Sequence, residues 1–361
     1  MVDKPMSRVQ AFDLLRLLAV LGVVLFHYGF RGPDVDGVAQ AAFPALGSFA
    51  RYGFLGVPIF FIISGFVIAY SSEGRTAYQF AVARFARIYP TFLLCMTVTF
   101  LAVLAFGKPH FHTSFVQWLA NLFIAAPAFR QPYIDAAYWS LVIEVLFYGW
   151  VAILIVIGLF PRRVDFIVTV WLAVSLLNEM TIDHPLICKV LLADYSGFFA
   201  TGLLIHEFFK GRRDAVLQWL LAASAATAVY QAIHNVEWLR DASTNEFNDW
   251  IVGTICLASI VVILAATRIR RVPLPAAVVA AAGGITYPLY LLHQQLGYVT
   301  VASLSSVPGV LLVLTVLTGI VVLSWVVWRY FETSAQRLTK EAFGKMADWA
   351  TRHWGPGLAR G

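Results

Sequence analysis

Hydrophobic positions run along this chain in long blocks, with polar residues gathered between them. The first block, Arg8 to Tyr28, reads RVQAFDLLRLLAVLGVVLFHY and is broken only by a few polar residues, of which Arg16 and His27 stand out. Nine further blocks reach the roughly 17 residues that a helix needs at least to cross a bilayer. They cover 53–72, 85–106, 138–159, 164–180, 186–208, 215–234, 249–268, 275–301 and 307–329. The pattern predicts an all-α polytopic membrane protein with ten transmembrane helices. Another apolar run, SFVQWLANLFIAAP at 114–127, is ended by Pro127 and falls short of the roughly 17 residues a crossing requires. It predicts a short re-entrant or interfacial helix on the outer face.

The polar positions orient these blocks. With the N-terminus in the cytoplasm, the inner loops hold Arg75 and Arg84, then Arg162 and Arg163, then Lys210, Arg212 and Arg213, then Arg268, Arg270 and Arg271. The outer loops hold Asp34, Asp36, Asp183, Glu237, Asp241 and Glu246. Basic residues gather on the cytoplasmic side of membrane proteins, and an even number of spans then places both termini inside. Lys4 and Arg8 give the start a signal-like character. Arg16 interrupts the apolar run, however, and no small-x-small cleavage site follows His27, so the segment is expected to stay as an uncleaved first span. The organisation expected is a membrane domain over 1–332 and a cytoplasmic tail over 333–361. Leu338, Phe343, Met346 and Ala350 recur in the tail at helical spacing between Lys and Arg, as an amphipathic helix on the inner leaflet would require.

Composition agrees with this reading: 60% of residues are hydrophobic and 13% charged. That excludes the pair of soluble domains that 361 residues would otherwise suggest. The net charge of +6 is accounted for by the basic inner loops, and no nucleic-acid partner is expected. Membrane lipids are. Cys95, Cys188 and Cys256 lie in apolar segments without metal-ligand spacing; they read as packing residues, and no metal site is expected. Trp118, Trp139, Trp238 and Trp250 lie near the outer side, where a headgroup belt is the default and sugar stacking the alternative.

A charge at the centre of a membrane helix costs at least about 2.5 kcal/mol, so Arg16 needs a reason. Arg16 and His27 are separated by about three helical turns with about 20° left over, hence they share one face at depths about 16 Å apart. Asp13 extends the stripe. Arg84 and Arg87, at i and i+3, put two guanidiniums on one side, suited to phosphate oxygens and equally to anchoring a cytoplasmic helix end. Ser140, Glu144 and Tyr148, at i, i+4 and i+8, draw a polar stripe through an apolar span, with Glu144 about 9 Å below its outer end, a depth comparable to that of His27. Thr286, Tyr290 and His293 make a further stripe, readable as cavity lining or as an interfacial belt. The Gly and Pro blocks at 53–66, 284–293 and 196–202 are packing signals.

Five ordered blocks together resemble the membrane acyltransferase-3 family over roughly residues 8–332. They are Phe12-Asp13 with Arg16 and His27 eleven residues apart, GFLGVPIFFIISGF, the Arg84 to Pro90 block RFARIYP, YWSLVIEVLFY, and GGITYPLYLLHQ. The resemblance implies a ten-helix enzyme of the bacterial cytoplasmic membrane with no permanently bound cofactor. Such an enzyme takes an acyl group, commonly acetyl, from acyl-coenzyme A and delivers it to a hydroxyl of a glycan, glycolipid or similar acceptor. The family's functional positions map onto Arg16, His27, Arg84 and Arg87, and its Trp-Ser-Leu-x-x-Glu hallmark onto Trp139 to Glu144. Two positions depart from the family pattern: Gln295 stands where a Pro often follows the ninth-span His-Gln, and Glu332-Thr333-Ser334 replaces a Glu-x-Pro. No hydrolase-like domain follows the spans, which implies direct transfer to the acceptor or hand-off to a separate protein.

The expected roles follow. Arg84 and Arg87 hold the donor's phosphates with Arg16 further in, and the donor's arm runs toward His27. His27 is the general base and Glu144 orients its imidazole, while Ser140, Tyr148, Tyr290 and His293 line the substrate. A covalent acyl-histidine remains the variant route. A secondary transporter or flippase for a lipid-linked or sugar substrate, also with ten spans and buried charges, is the competing reading.

Overall fold

The computed structural model describes residues 9–38, 44–243, 245–269, 271–304 and 309–354. Lys4, Arg8 and Arg270 of the charge reading, and the last seven residues of the tail, lie outside the described residues.

Every regular element among the described residues is helical. The longer ones, in chain order, are α1 (Gln10–Phe26), α2 (Gly56–Ser72), α3 (Ala77–Phe106), α4 (Phe115–Asn121), α5 (Trp139–Val156), α6 (Val164–Leu177), α7 (Pro185–Leu191), α8 (Ser196–Phe209), α9 (Ala215–His234), α10 (Asp249–Ala266), α11 (Ala276–Leu292), α12 (Gln295–Ser303), α13 (Gly309–Val326) and α14 (Thr333–Trp354). Eight continuous helices are long and apolar enough to cross a bilayer, and two bent pairs, α7 with α8 at 50° and α11 with α12 at 64°, bring the number of candidate spans to as many as 10. These fall on the ten blocks read from the sequence. The 114–127 run forms only the seven-residue α4 and a short 3-10 turn over Ala126–Phe129, too little to cross. The last span continues as one helix over Gly309–His353, so the tail extends that span. Part of its apolar face is used on α3: Phe343 meets Phe85 at 5.5 Å between ring centroids, and its carbonyl accepts the Tyr78 hydroxyl at 2.8 Å.

Helix starts are chemically marked. Thr76 and Gln79 form a capping box at α3, Asp214 caps α9 and Asn248 caps α10, each side chain accepting N–H groups that a first turn leaves unpaired. Pro90 and Pro288 lie inside helices.

Two compact units divide the chain. One comprises Met1–Val23, Tyr52–Val67 and Val168–Thr286. Within it α2 and α8 touch backbone to backbone: a Cβ at Gly202 would meet the Ile62 carbonyl oxygen, and one at Gly65 the Phe199 carbonyl oxygen. Small residues permit such approach where helices pack in lipid. Phe61 stacks on Phe199 beside this contact at 4.8 Å. Gln231 of α9, buried, accepts the Gly197 N–H at 2.9 Å and donates to the Ala193 carbonyl at 2.6 Å, satisfying groups released by the bend between α7 and α8.

The other unit comprises Val24–Arg51, Ile68–Ile167 and Tyr287–Gly361. It is built around α3, against which α5, α12 and α14 pack. Its fully buried residues include Phe80, Phe92, Met96, Tyr138 and Leu141, and the Phe92 and Tyr138 rings meet edge to face at 5.1 Å. This unit carries most of the chemistry-bearing residues.

Candidate active site

α1 ends at Phe26, and the chain continues as a π-helical turn, His27–Arg31, in which the Gly32 N–H reaches the His27 carbonyl. Such turns shift the register by a residue and recur at functional sites. Here the turn begins at His27, whose side chain is 6% exposed. Tyr298 of α12 holds it twice: the phenol donates to the His27 carbonyl oxygen at 3.2 Å and lies 3.2 Å from Nδ1 of the ring. A phenol has one proton and a carbonyl can only accept. With that proton on the carbonyl, Nδ1 is the donor to the phenol oxygen, and Nε2 keeps its lone pair.

His293 faces this ring edge to face, with centroids 4.9 Å apart, and is fully buried. It stands where the ninth span breaks. A broken helix frees backbone groups that must be bonded locally where water is scarce, and here side chains meet them. Tyr28 donates its hydroxyl to the His293 carbonyl at 2.6 Å, and Tyr138 donates to the Leu291 carbonyl at 3.2 Å. Asp135 accepts the Gln295 N–H at 2.8 Å and the Ala137 N–H at 2.8 Å, so one carboxyl starts α12 and the turn leading into α5. Gly297 leaves the room that the Tyr28 phenol occupies; a Cβ there would collide with its oxygen.

Asp135 lies in the connection before α5 and is fully buried. Burial pushes its carboxyl up from 3.8 to about 7, against the two N–H bonds and the charge of Arg31, which pull it down.

Toward the middle of the unit, Ser140 Oγ and the Tyr290 hydroxyl are 2.6 Å apart, and both reach the Ala137 carbonyl. The Tyr290 and His293 rings lie 5.5 Å apart, joining this pair to the histidines. Eight residues further along α5, or about 12 Å, Tyr148 donates its hydroxyl to Glu144 and presents its ring to the Arg84 guanidinium at 5.9 Å. Arg84 has no ion pair among the described residues, and its Nε is buried without a hydrogen-bond partner. Arg87 stands over the Tyr287 ring at 5.8 Å and is paired with Glu332, which sits 2% exposed in the π turn Val327–Glu332 at the end of the last span. Tyr287 in turn donates to the Ile88 carbonyl at 3.1 Å. A file of polar groups thus runs through one unit, from two arginines at one end to two imidazoles at the other.

The structure brings together His27, His293, Tyr290 and Ser140 in one neighbourhood, and Arg84, Arg87, Glu144 and Tyr148 in another. One expected pairing is corrected: Glu144 does not orient His27. The histidine's ring is held by Tyr298 and lies against His293, while Glu144 sits with Tyr148, within electrostatic reach of Arg84. Equal depth along two helices did not bring them into contact. Arg16 belongs to the other unit, where it pairs with Asp13 at 3.5 Å. The sequence reading missed Tyr28, Asp135, Tyr298 and Glu332. The available signals were Tyr28 beside His27, Tyr298 five residues after His293, and a lone Asp directly before an apolar span.

Comparison with known proteins completes the picture. The family model Acyl_transf_3, described as an acyltransferase domain, matches residues 9–329. The chain belongs to the acyltransferase-3 family. As an acyltransferase-3 protein it is similar to the putative peptidoglycan O-acetyltransferase YrhL of Bacillus subtilis, 27% identical over 174 residues, which is 43% of this chain and 25% of that protein. It is also similar to the peptidoglycan O-acetyltransferase OatA of Listeria monocytogenes, 25% identical over 192 residues, 48% of this chain and 28% of that protein. The aligned regions thus cover about a quarter of either relative. No solved structure matches this acyltransferase-3 chain.

Proposed function

We propose that this acyltransferase-3 protein moves an acyl group, acetyl in the first instance, from acyl-coenzyme A to a hydroxyl of a cell-surface polysaccharide, glycolipid or similar sugar-containing acceptor. It would do so as a multi-pass protein of the bacterial cytoplasmic membrane with both termini inside. The observation that carries this reading is His27, a buried imidazole whose Nδ1 is occupied by Tyr298 and whose Nε2 is left as a lone pair. Such a group is a base. It takes the proton of the acceptor hydroxyl as the oxygen attacks the thioester carbonyl; the carbon–sulfur bond then breaks and the thiolate leaves. Base catalysis of this kind is worth roughly 10²- to 10⁴-fold in rate.

At the far end of the polar file, Arg84 and Arg87 serve the donor's phosphates, forking onto their oxygens. Glu144 and Tyr148 shape the charge beside Arg84. Ser140, Tyr290 and His293 line the space between the arginines and the base. The names of both relatives describe O-acetylation of peptidoglycan, which supports a glycan hydroxyl as acceptor. Family membership does not favour the transporter reading.

The experiment is acetyl transfer from radiolabelled acetyl-coenzyme A to a peptidoglycan-derived acceptor by the protein in lipid nanodiscs. His27→Ala is expected to lower the rate at least about 100-fold with the fold intact. A variant that keeps half the wild-type rate refutes the assignment. Mass spectrometry of surface glycans from a deletion strain and its parent identifies the acceptor by the acetyl group that disappears.

A further inference from the structure

The imidazole of His293 is held as tightly as that of His27, and nothing in the fold requires its second nitrogen. Its Nδ1 lies 2.7 Å from the Tyr290 carbonyl, which can only accept, so Nδ1 carries the proton and Nε2 is a lone pair. That Nε2 is buried and has no hydrogen-bond partner among the described residues. A buried acceptor left without a donor destabilises a protein, and packing alone would be served by a phenyl or an amide. The backbone is fixed on both sides: the His293 N–H donates to the Leu289 carbonyl at 3.0 Å, its carbonyl accepts the Tyr28 hydroxyl, and Asp135 holds the N–H two residues on. Four contacts aim this ring, and the ring it meets is His27.

We propose that His293 is a second acid–base catalytic residue of the transfer, working in series with His27. The inference rests on the acyltransfer reading above. When the acceptor oxygen bonds to the acyl carbon, its proton passes to Nε2 of His27 and, through a neighbouring hydroxyl of the bound sugar that bridges the two rings, on to Nε2 of His293. As the carbon–sulfur bond breaks, His293 returns that proton to the thiolate, which leaves as a thiol. One proton enters and one leaves, both rings end neutral, and no other reactant is needed. The arrangement separates the group that takes the proton from the group that returns it, so His27 is ready for the next hydroxyl without releasing a charge into a buried site.

The test uses His293→Asn in the full chain in nanodiscs, with acetyl-coenzyme A as donor and a peptidoglycan-derived glycan as acceptor. The Asn amide N–H replaces the Nδ1–H donor to the Tyr290 carbonyl while removing Nε2, which separates chemistry from structure. We expect kcat to fall about 100-fold, KM for acetyl-coenzyme A to stay within about twofold, and added imidazole to restore part of the rate. Because the two residues act in series, adding His293→Asn to His27→Ala is expected to lower the rate no further. A kcat within twofold of wild type overturns the proposal, as does a double variant whose losses multiply. Wild-type protein that transfers no acetyl group overturns the acyltransfer reading and this inference with it, whereas an inactive His27→Ala beside a fully active His293→Asn overturns this inference alone.

Discussion

Asp135 offers a measurement of how the histidine end of the site is held. Its carboxyl is buried, accepts two backbone N–H groups and titrates at about 7 in place of 3.8. The folded protein therefore binds a proton that the unfolded chain has already released between these two values, and protonation favours the fold. The contribution is fully present below pH 3.8 and is lost as pH rises through about 7. At about 1.4 kcal/mol for each pH unit of separation, the ionised carboxylate costs the fold on the order of 4 kcal/mol above pH 8. Asp135→Asn removes the ionisation and keeps one oxygen to accept an N–H. It forfeits the other bond, at about 1–3 kcal/mol. The variant should accordingly be less stable than wild type at pH 4, lose that disadvantage as pH rises through 5 to 6, and match or exceed wild type at pH 8. Thermal unfolding in detergent followed by tryptophan fluorescence provides the assay. A stability difference between variant and wild type that is constant from pH 4 to pH 8 refutes the reasoning.

Other consequences can be checked together. Tyr298→Phe removes both bonds to His27 and should lower kcat about tenfold or more, with KM for the donor unchanged, in the same transfer assay. Glu332→Gln frees Arg87 from its counter-ion, so a KM for acetyl-coenzyme A several-fold lower than wild type is expected; an unchanged KM excludes competition between Glu332 and the donor's phosphates. Gly202→Val forces a side chain against the Ile62 carbonyl and should destabilise by about 1–3 kcal/mol or more, seen as a lower melting temperature.

Much of the architecture was legible because the bilayer imposes a length on apolar segments. The ten blocks correspond to the eight continuous helices and two bent pairs, and the 114–127 run proved too short to span. Residues costly enough to be noticed in an apolar background were also legible: His27, His293, Arg84 and Arg87 all fall within the unit that carries the polar file. Partnership was not. Ser140, Glu144 and Tyr148 share a helical face, yet Ser140 meets Tyr290 while Tyr148 meets Arg84, because neighbouring helices present different residues at each level. The residues that hold the histidines escaped notice for a simpler reason: a tyrosine near a span end or an aspartate in a loop is ordinary until a broken helix supplies a carbonyl or an N–H for it to meet.

The sequence by itself determined that this is a multi-pass helical membrane protein of the acyltransferase-3 type and which ionisable side chains are placed at a cost. Those properties follow from segment length, helical period and the solvation of charge, all of which act locally along the chain. Tertiary structure alone decided that His27 faces His293 and not Glu144, that Asp135 starts α12, and that Arg87 rests on Glu332. These are contacts between residues from about 160 to about 270 positions apart, and no local period encodes which faces of two helices will meet.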